Sequence, residues 1–232
     1  MIKVISFKIC PFVQRVTGLL EAKDIAYAID YINLNNKPQW FLDIAPNGQV
    51  PVLITESGIV LYESDAIVEY LDEVYNPLET NLTPEQRAID RAWSYQATKH
   101  YLTQCSAMRS PDKDSLSERT ITLNKAFAKA EARHENTPYF KGSVISNVDI
   151  AWLPLLHRAE IITRYTGYDF LLKFPKVKAW QQALLNTGLA EKSVANDFEN
   201  IFTDFYLSGQ TFLGKDRCQQ KSINTACSTG CC

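Results

Sequence analysis

Cys10 begins the run Cys10-Pro11-Phe12-Val13-Gln14-Arg15, where a short apolar segment, Lys3 to Phe7, gives way to helical periodicity. That places a thiol near the N-cap and Pro11 at the first helical position, where proline is well tolerated. The free N–H groups and dipole of a helix start favour negative charge, so the expectation is a cysteine of lowered pKa. Position 13 is valine, so no second cysteine follows at the spacing of a dithiol redox motif. A lone thiolate that attacks a disulfide must be released by an outside thiol. The alternative is a buried, inert cysteine.

The elements around this thiol read as two units. Residues 1–76 alternate: strands at Lys3–Phe7, Tyr27–Ile32, Val52–Ile54 and Ile59–Leu61, helices at Pro11–Lys23, Pro38–Ala45 and Ser64–Tyr75. This is a small mixed sheet with helices packed on it. Residues 77–83 are a polar linker, and residues 84–213 read as all-helical. Capping boxes are expected at Thr83-Pro84-Glu85-Gln86, Ser115-Leu116-Ser117-Glu118 and Ser146-Asn147-Val148-Asp149, the last with Ile145 and Ile150 placed as a hydrophobic staple. A further helix is expected over Pro175–Leu185. From Gly214 the chain turns polar and aperiodic, and residues 214–232 read as a flexible tail.

The chain has 232 residues, net charge −2, 46% hydrophobic and 22% charged residues. That is ordinary globular composition, enough for a sizeable core without disulfides or metal. No apolar run is long enough to span a membrane, and the N-terminus lacks the pattern of a signal peptide; the expected location is cytoplasmic. Residues 1–76 carry 5 Lys/Arg against 10 Asp/Glu, a net of −5, leaving +3 for the rest. An acidic first unit argues against nucleic-acid binding there. His100, His134 and His157 have no metal-ligand spacing, and no metal is expected at the site. No hydrolase constellation or phosphate loop is present.

Four segments together make the chain resemble a cytosolic glutathione transferase, most closely the omega class. They are Cys10-Pro11-Phe12 with Arg15; Asn36-Lys37-Pro38-Gln39-Trp40-Phe41; Pro46-Asn47-Gly48-Gln49-Val50-Pro51-Val52-Leu53; and Tyr62-Glu63-Ser64 followed by Glu69-Tyr70-Leu71-Asp72. The resemblance implies a thioredoxin-like α/β domain followed by an all-α domain, a homodimer, and glutathione as co-substrate. It implies Cys10 as the catalytic residue and Phe12, Lys37, Val50, Pro51, Glu63 and Ser64 as glutathione-binding. Val50 precedes a proline that the family holds cis, and its backbone would pair with the cysteinyl part of the tripeptide. Ser64 and free N–H groups at a helix start would hold the γ-glutamyl carboxylate. Glu63 would face the ammonium group, Lys37 the glycine carboxylate, and Phe12 would pack beside the tripeptide. Taken singly, Pro51 is also an ordinary turn residue, Ser64 an N-cap and Lys37 a solvated lysine.

Phe198, Phe202 and Phe205 fall at i, i+4 and i+7 of a late helix that, by the resemblance, lines the acceptor pocket; core packing is the alternative. Trp152, Trp180 and Tyr101 read as core or domain interface, and His157 as structural. Cys10 and Cys105 read as isolated. Cys218, Cys227, Cys231 and Cys232 depart from the family. They read as a soft-metal site, a redox-active tail, a lipidation signal or an extension without function.

The implied activity is glutathione-dependent thiol transfer through a Cys10–glutathione mixed disulfide, with a small electrophilic or disulfide compound as second substrate. Deglutathionylation, dehydroascorbate reduction and removal of glutathione from conjugates are the reactions the class offers. The alternative is a non-catalytic protein of the same fold. The chloride intracellular channel family is one such case, sharing Cys-Pro-Phe followed by Gln-Arg and associating with membranes.

Overall fold

The computed structural model describes residues 1–215. Cys218, Cys227, Cys231 and Cys232, and every reading placed on them, lie outside the described residues.

Strands β1 (Ile2–Ser6), β2 (Tyr27–Tyr31), β3 (Val52–Ile54) and β4 (Val60–Tyr62) form one mixed sheet in the order β2-β1-β3-β4. β1 runs parallel to β2 and antiparallel to β3. A central strand covered on both faces must be apolar on both. Ile2 and Val4 of β1 pack into the main core with Val16, Leu19, Ile67 and Leu71. Ile5 points the other way, to Val52 and Phe41. Helices α1 (Pro11–Ala22) and α3 (Ser64–Val74) contribute to the first core, and α2 (Gln39–Ile44) to the second.

The second unit comprises α4 (Pro84–Met108), α5 (Lys113–Arg133), α6 (Asn147–Thr166), α7 (Pro175–Leu185), α8 (Leu189–Lys192) and α9 (Phe198–Tyr206), then a 3₁₀ turn, Phe212–Gly214. The architecture is the expected one, a small mixed-sheet α/β unit followed by an all-helical unit. α6 is its axis: Val148 to Ala159 is buried without a break, and the helix packs on both α1 and α4. Trp152, Trp180 and Tyr101 are fully buried.

Two of the three expected capping boxes form. Thr83 accepts from the Gln86 N–H, and Gln86 accepts from the Thr83 N–H at 2.8 Å. The Asp149 carboxylate accepts from the Ser146 N–H and hydroxyl, the Phe140 N–H and the Trp180 indole, at 2.6–2.8 Å. A buried carboxylate with four donors ties the start of α6 to α7 and the preceding loop. The third box does not form. α5 starts earlier, because Asp112 accepts from the Ser115 N–H at 2.8 Å and caps the helix itself. Asp and Ser cap comparably well, so the upstream residue takes the position and Ser115 lies inside the first turn.

The polar turn at Gly214 is not the end of ordered packing. Gly214 donates to the Thr211 carbonyl at 3.1 Å, and a Cβ there would lie 2.2 Å from the Ser208 carbonyl oxygen. Lys215 reaches the Pro111 carbonyl at 3.0 Å. A single 3₁₀ turn is too short to leave a readable period.

Candidate active site

Cys10 occupies the N-cap of α1 with extended backbone and Pro11 at N1. The local expectation of a low thiol pKa fails here. The N–H groups of Val13 and Phe12 and the nearby Arg158 favour the thiolate, but Cys10 makes no capping hydrogen bond. Desolvation outweighs them and pushes the thiol up to about 11. The protonated thiol lies 4.0 Å from the Val50 carbonyl, at the limit of a sulfur hydrogen bond.

Two cavities meet at this thiol. The first, about 320 Å³, is lined by Cys10 together with Phe12, Lys37, Val50, Pro51, Glu63 and Ser64. These six come from α1, the loop before α2, the turn before β3 and the start of α3, so only the fold brings them together. The Val50–Pro51 bond is cis. Gly48, at φ +56°, makes the preceding turn, and a Cβ there would come within 3.7 Å of the Lys37 ammonium. Glu63 stands at φ +66°, a region most residues avoid. It is held from outside by Asn47, whose amide donates to its carboxylate at 3.0 Å. Ser64, buried, opens α3. Asp65 behind it pairs with Arg15, which is buried under the sheet-side core. One rim thus offers Lys37 to an anion, and the other offers helix N–H groups beside a carboxylate.

The second cavity, about 620 Å³, opens between the two units; Cys105, Arg109, Arg119, Phe205 and Tyr206 line it with Cys10. Cys10, Phe12, Leu34 and Leu102 line both cavities, so the two adjoin at the thiol. A third cleft, about 510 Å³, runs between α3 and α4 and does not reach Cys10. Within it Arg91 pairs with Glu69, and its Glu79 and Asp90 pair with Lys141 from outside the lining. Among the described residues no cluster of His, Cys, Asp and Glu is arranged to hold a metal, and no helix is long and apolar enough to cross a membrane.

Comparison with known proteins agrees with this geometry. Residues 9–74 match the glutathione S-transferase N-terminal domain, and residues 98–194 the glutathione S-transferase C-terminal domain. Glutathione S-transferase omega-1 of Sus scrofa is 34% identical over 212 residues, covering 89% of this chain and 86% of that protein. The chain belongs to the glutathione transferase family. Glutathione S-transferase DHAR2 of Arabidopsis thaliana is 29% identical, covering 80% of this chain and 84% of that protein. The crystal structure of glutathione transferase Omega 3C from Trametes versicolor superposes with a TM-score of 0.72 at 28% identity, covering 84% of this chain and 89% of that one.

In this glutathione transferase the late aromatic stripe divides. Phe198 and Phe202 are 2% and 0% exposed and do not line the second cavity. Phe198 stacks on His157 and Phe202, and Phe202 packs on Tyr206. The buried face of α9 repeats at i, i+4 and i+8, through Phe198, Phe202 and Tyr206, and closes on α6. Phe205, one residue round the helix, is 44% exposed and faces the cavity.

Sequence reasoning missed a buried polar cluster behind Cys10. Arg158 of α6 is fully buried. It donates to the Ile9 carbonyl at 3.1 Å, the Pro154 carbonyl at 3.0 Å and the Gln14 side-chain oxygen. That last bond fixes the Gln14 amide, so its nitrogen donates to His157 Nδ1 at 2.9 Å. Nδ1 is then an acceptor and the ring is neutral. Burial and the Arg158 charge together push His157 down to about 3. Among the described residues Arg158 has no carboxylate partner; the ionisable groups that favour its charge are Cys105, Tyr206, Cys10 and Tyr101. The one signal for Cys105 was its i+4 spacing from Tyr101. For Gln14 there was its place one turn after Cys10. Nothing in the sequence pointed to Arg158.

Proposed function

We propose that Cys10 is the nucleophile of a glutathione-dependent thiol transfer. The observation that carries this reading is the joint lining of one cavity by the thiol and the six residues that the family motifs assign to glutathione. Glutathione's glycine carboxylate meets Lys37, and its γ-glutamyl carboxylate meets Ser64 and the start of α3. Its cysteinyl backbone pairs with Val50 as a short added strand. That pairing claims the Val50 carbonyl, the acceptor nearest the Cys10 thiol in the free protein. The sulfur is left with the Val13 and Phe12 N–H groups and the Arg158 charge, all of which favour thiolate.

The thiolate then attacks the glutathione-side sulfur of a mixed disulfide, RS–SG. Cys10–S–SG forms, and RS⁻ leaves and takes up a proton. A second glutathione thiolate attacks this adduct, releasing oxidised glutathione and restoring Cys10. The likeness to omega-class and DHAR proteins extends the reading to dehydroascorbate, which takes two electrons and two protons from the Cys10 thiol and one glutathione and leaves the same Cys10–S–SG adduct. A hydroxyl-type conjugating mechanism is disfavoured, because a cysteine thiolate at this position exchanges with a glutathione disulfide and takes its glutathionyl half, releasing the other thiol. The family resemblance also supports a homodimer and a cytoplasmic location.

The test is glutathione-dependent reduction of a small glutathione mixed disulfide by wild type and Cys10→Ser, with the protein's mass read in parallel. A glutathionyl adduct on Cys10 and loss of turnover in Cys10→Ser are expected. Undiminished turnover in Cys10→Ser would refute the mechanism. Glutathione binding without turnover or adduct by the wild type would favour the non-catalytic alternative.

A further inference from the structure

The acceptor cavity has an unequal charge. It is lined by Arg109 and Arg119, and none of its lining residues is Asp or Glu. This stands out in a chain of net charge −2 whose glutathione cavity includes Glu63 and Asp65. Both arginines are held in place without being neutralised. The Arg109 guanidinium lies 5.0 Å from the centre of the Phe205 ring, a cation–π contact that fixes its plane and leaves its N–H groups unclaimed. Arg119 donates from Nη1 to the Ser106 carbonyl at 3.0 Å and keeps the rest of its fork open. Neither forms an ion pair among the described residues, whereas Arg15, Arg91, Arg133 and Arg164 each have a carboxylate partner. Arg158, behind the wall, adds a third positive charge near Cys10, Cys105 and Tyr206.

Apart from Ser106 and the Tyr206 hydroxyl the remaining lining is apolar, with Phe12, Leu34, Leu102 and Phe205 among it. Arg109 lies seven residues after Leu102, on the order of 10 Å along the axis of α4. The cavity therefore suits a group with an apolar stem of several carbons and an anion at its far end. Arginine forks match a carboxylate in two-point geometry.

We propose that Arg109 and Arg119 select an acidic acceptor: a glutathione mixed disulfide whose other half carries a carboxylate several bonds from the sulfur. This rests on the thiol-transfer reading above and adds the class of its second substrate. The glutathionyl half occupies the Lys37–Ser64 side, the disulfide lies at Cys10, and the departing acidic thiol lies against the arginines. The covalent step is the exchange already written; the arginines position its leaving half.

The test uses mixed disulfides of glutathione with three thiols of equal length, 6-mercaptohexanoate, 6-mercaptohexanol and 6-aminohexanethiol. The readout is the ratio of kcat/KM values within each protein. Wild type is expected to favour the anionic over the neutral substrate about five- to tenfold at low salt, with the cationic one last. Raising the salt should shrink the ratio. In Arg109→Gln/Arg119→Gln the ratio should fall to within about twofold of unity. Lys129→Gln/Arg133→Gln, which removes the same charge from an exposed stretch outside the cavity, should keep the wild-type ratio. A wild-type ratio near one, or a ratio that survives in Arg109→Gln/Arg119→Gln, overturns the proposal and leaves thiol transfer standing.

A binding arm needs no chemistry. Calorimetry with S-(5-carboxypentyl)glutathione and S-hexylglutathione should favour the carboxylate in wild type and lose that preference in the double arginine variant. If that preference is found without turnover of any disulfide, the cavity assignment holds and the thiol-transfer reading fails. If neither analogue binds, both fail.

Discussion

Arg158 donates from Nη2 to the carbonyl of Ile9 at 3.1 Å, the residue immediately before Cys10. A buried cation from the helical unit thus clamps the strand-to-helix turn of the α/β unit. The same side chain reaches Gln14, on the first turn of α1 after the thiol, and Pro154 within its own helix. Position and charge at Cys10 are therefore set by both units at once.

Arg158→Met removes three donated hydrogen bonds and the nearest buried positive charge. The expected stability loss is about 2–4 kcal/mol, since buried carbonyls are left without donors. The expected chemical effect is slower alkylation of Cys10 by iodoacetamide at pH 8, by about three- to tenfold, because the thiol pKa rises further. Arg158→Lys, which keeps the charge without the fork, should recover part of that rate. Mass spectrometry of the Cys10 peptide reads this separately from the other cysteines. A wild-type alkylation profile in folded Arg158→Met would reduce Arg158 to a structural strut.

The buried thiol makes stability fall in alkali. Its folded pKa, about 11, lies above the ordinary value of 9.0. The unfolded chain loses this proton first, so the contribution is complete below about pH 9 and is lost as pH rises towards 11. The slope is up to about 1.4 kcal/mol per pH unit, on the order of 2 kcal/mol in total. Tyr27, Tyr101 and Tyr206 are also pushed up by burial and act in the same direction. Denaturant unfolding from pH 8 to 11 should therefore be compared between wild type and Cys10→Ser, and the gap between the two curves should narrow as pH rises. A constant gap would mean that burial does not raise the thiol pKa in the folded protein.

At the acid end the group to follow is His157. Its folded pKa, about 3, lies below the ordinary 6.5. The unfolded chain takes up this proton first, so stability is complete above about pH 6.5 and falls as pH drops towards 3. Burial and the Arg158 charge oppose the second proton, and on Nδ1 that proton would face the Gln14 amide donor. His157→Gln should flatten the acid limb, visible as a smaller drop in Tm between pH 7 and pH 4.5. Equal acid limbs would show that carboxylates alone set it.

The split in the α9 aromatics gives opposite outcomes from one kind of truncation. Phe202→Ala empties a fully buried site and should cost about 3–5 kcal/mol. Phe205→Ala removes an exposed cavity wall and should cost about 1 kcal/mol or less. Its effect belongs on the acceptor side: KM for the second substrate should rise severalfold, and glutathione affinity should hold. Matched losses of stability in the two variants would put Phe205 in the core after all.

The sequence by itself determined whatever depends on neighbours along the chain. Periodicity placed β3 and α7 to the residue and the other strands and N-terminal helices to within a residue or two. Cap chemistry placed the starts of α4 and α6, because a Thr or Ser side chain answers backbone groups only three residues away. The motifs named the residues that line the first cavity with Cys10 because the turns and helix starts that present them are local. Tertiary structure decided everything that depends on what lies across the fold. The thiol's titration was set by desolvation, which outweighs the helix start that local reasoning sees. The division of Phe202 from Phe205 depends on which face of α9 meets α6. Arg158 lies 148 positions from Cys10 and meets its turn only because α6 packs on α1. Burial and long-range charge are sums over neighbours distant in sequence, and no periodicity or cap encodes them.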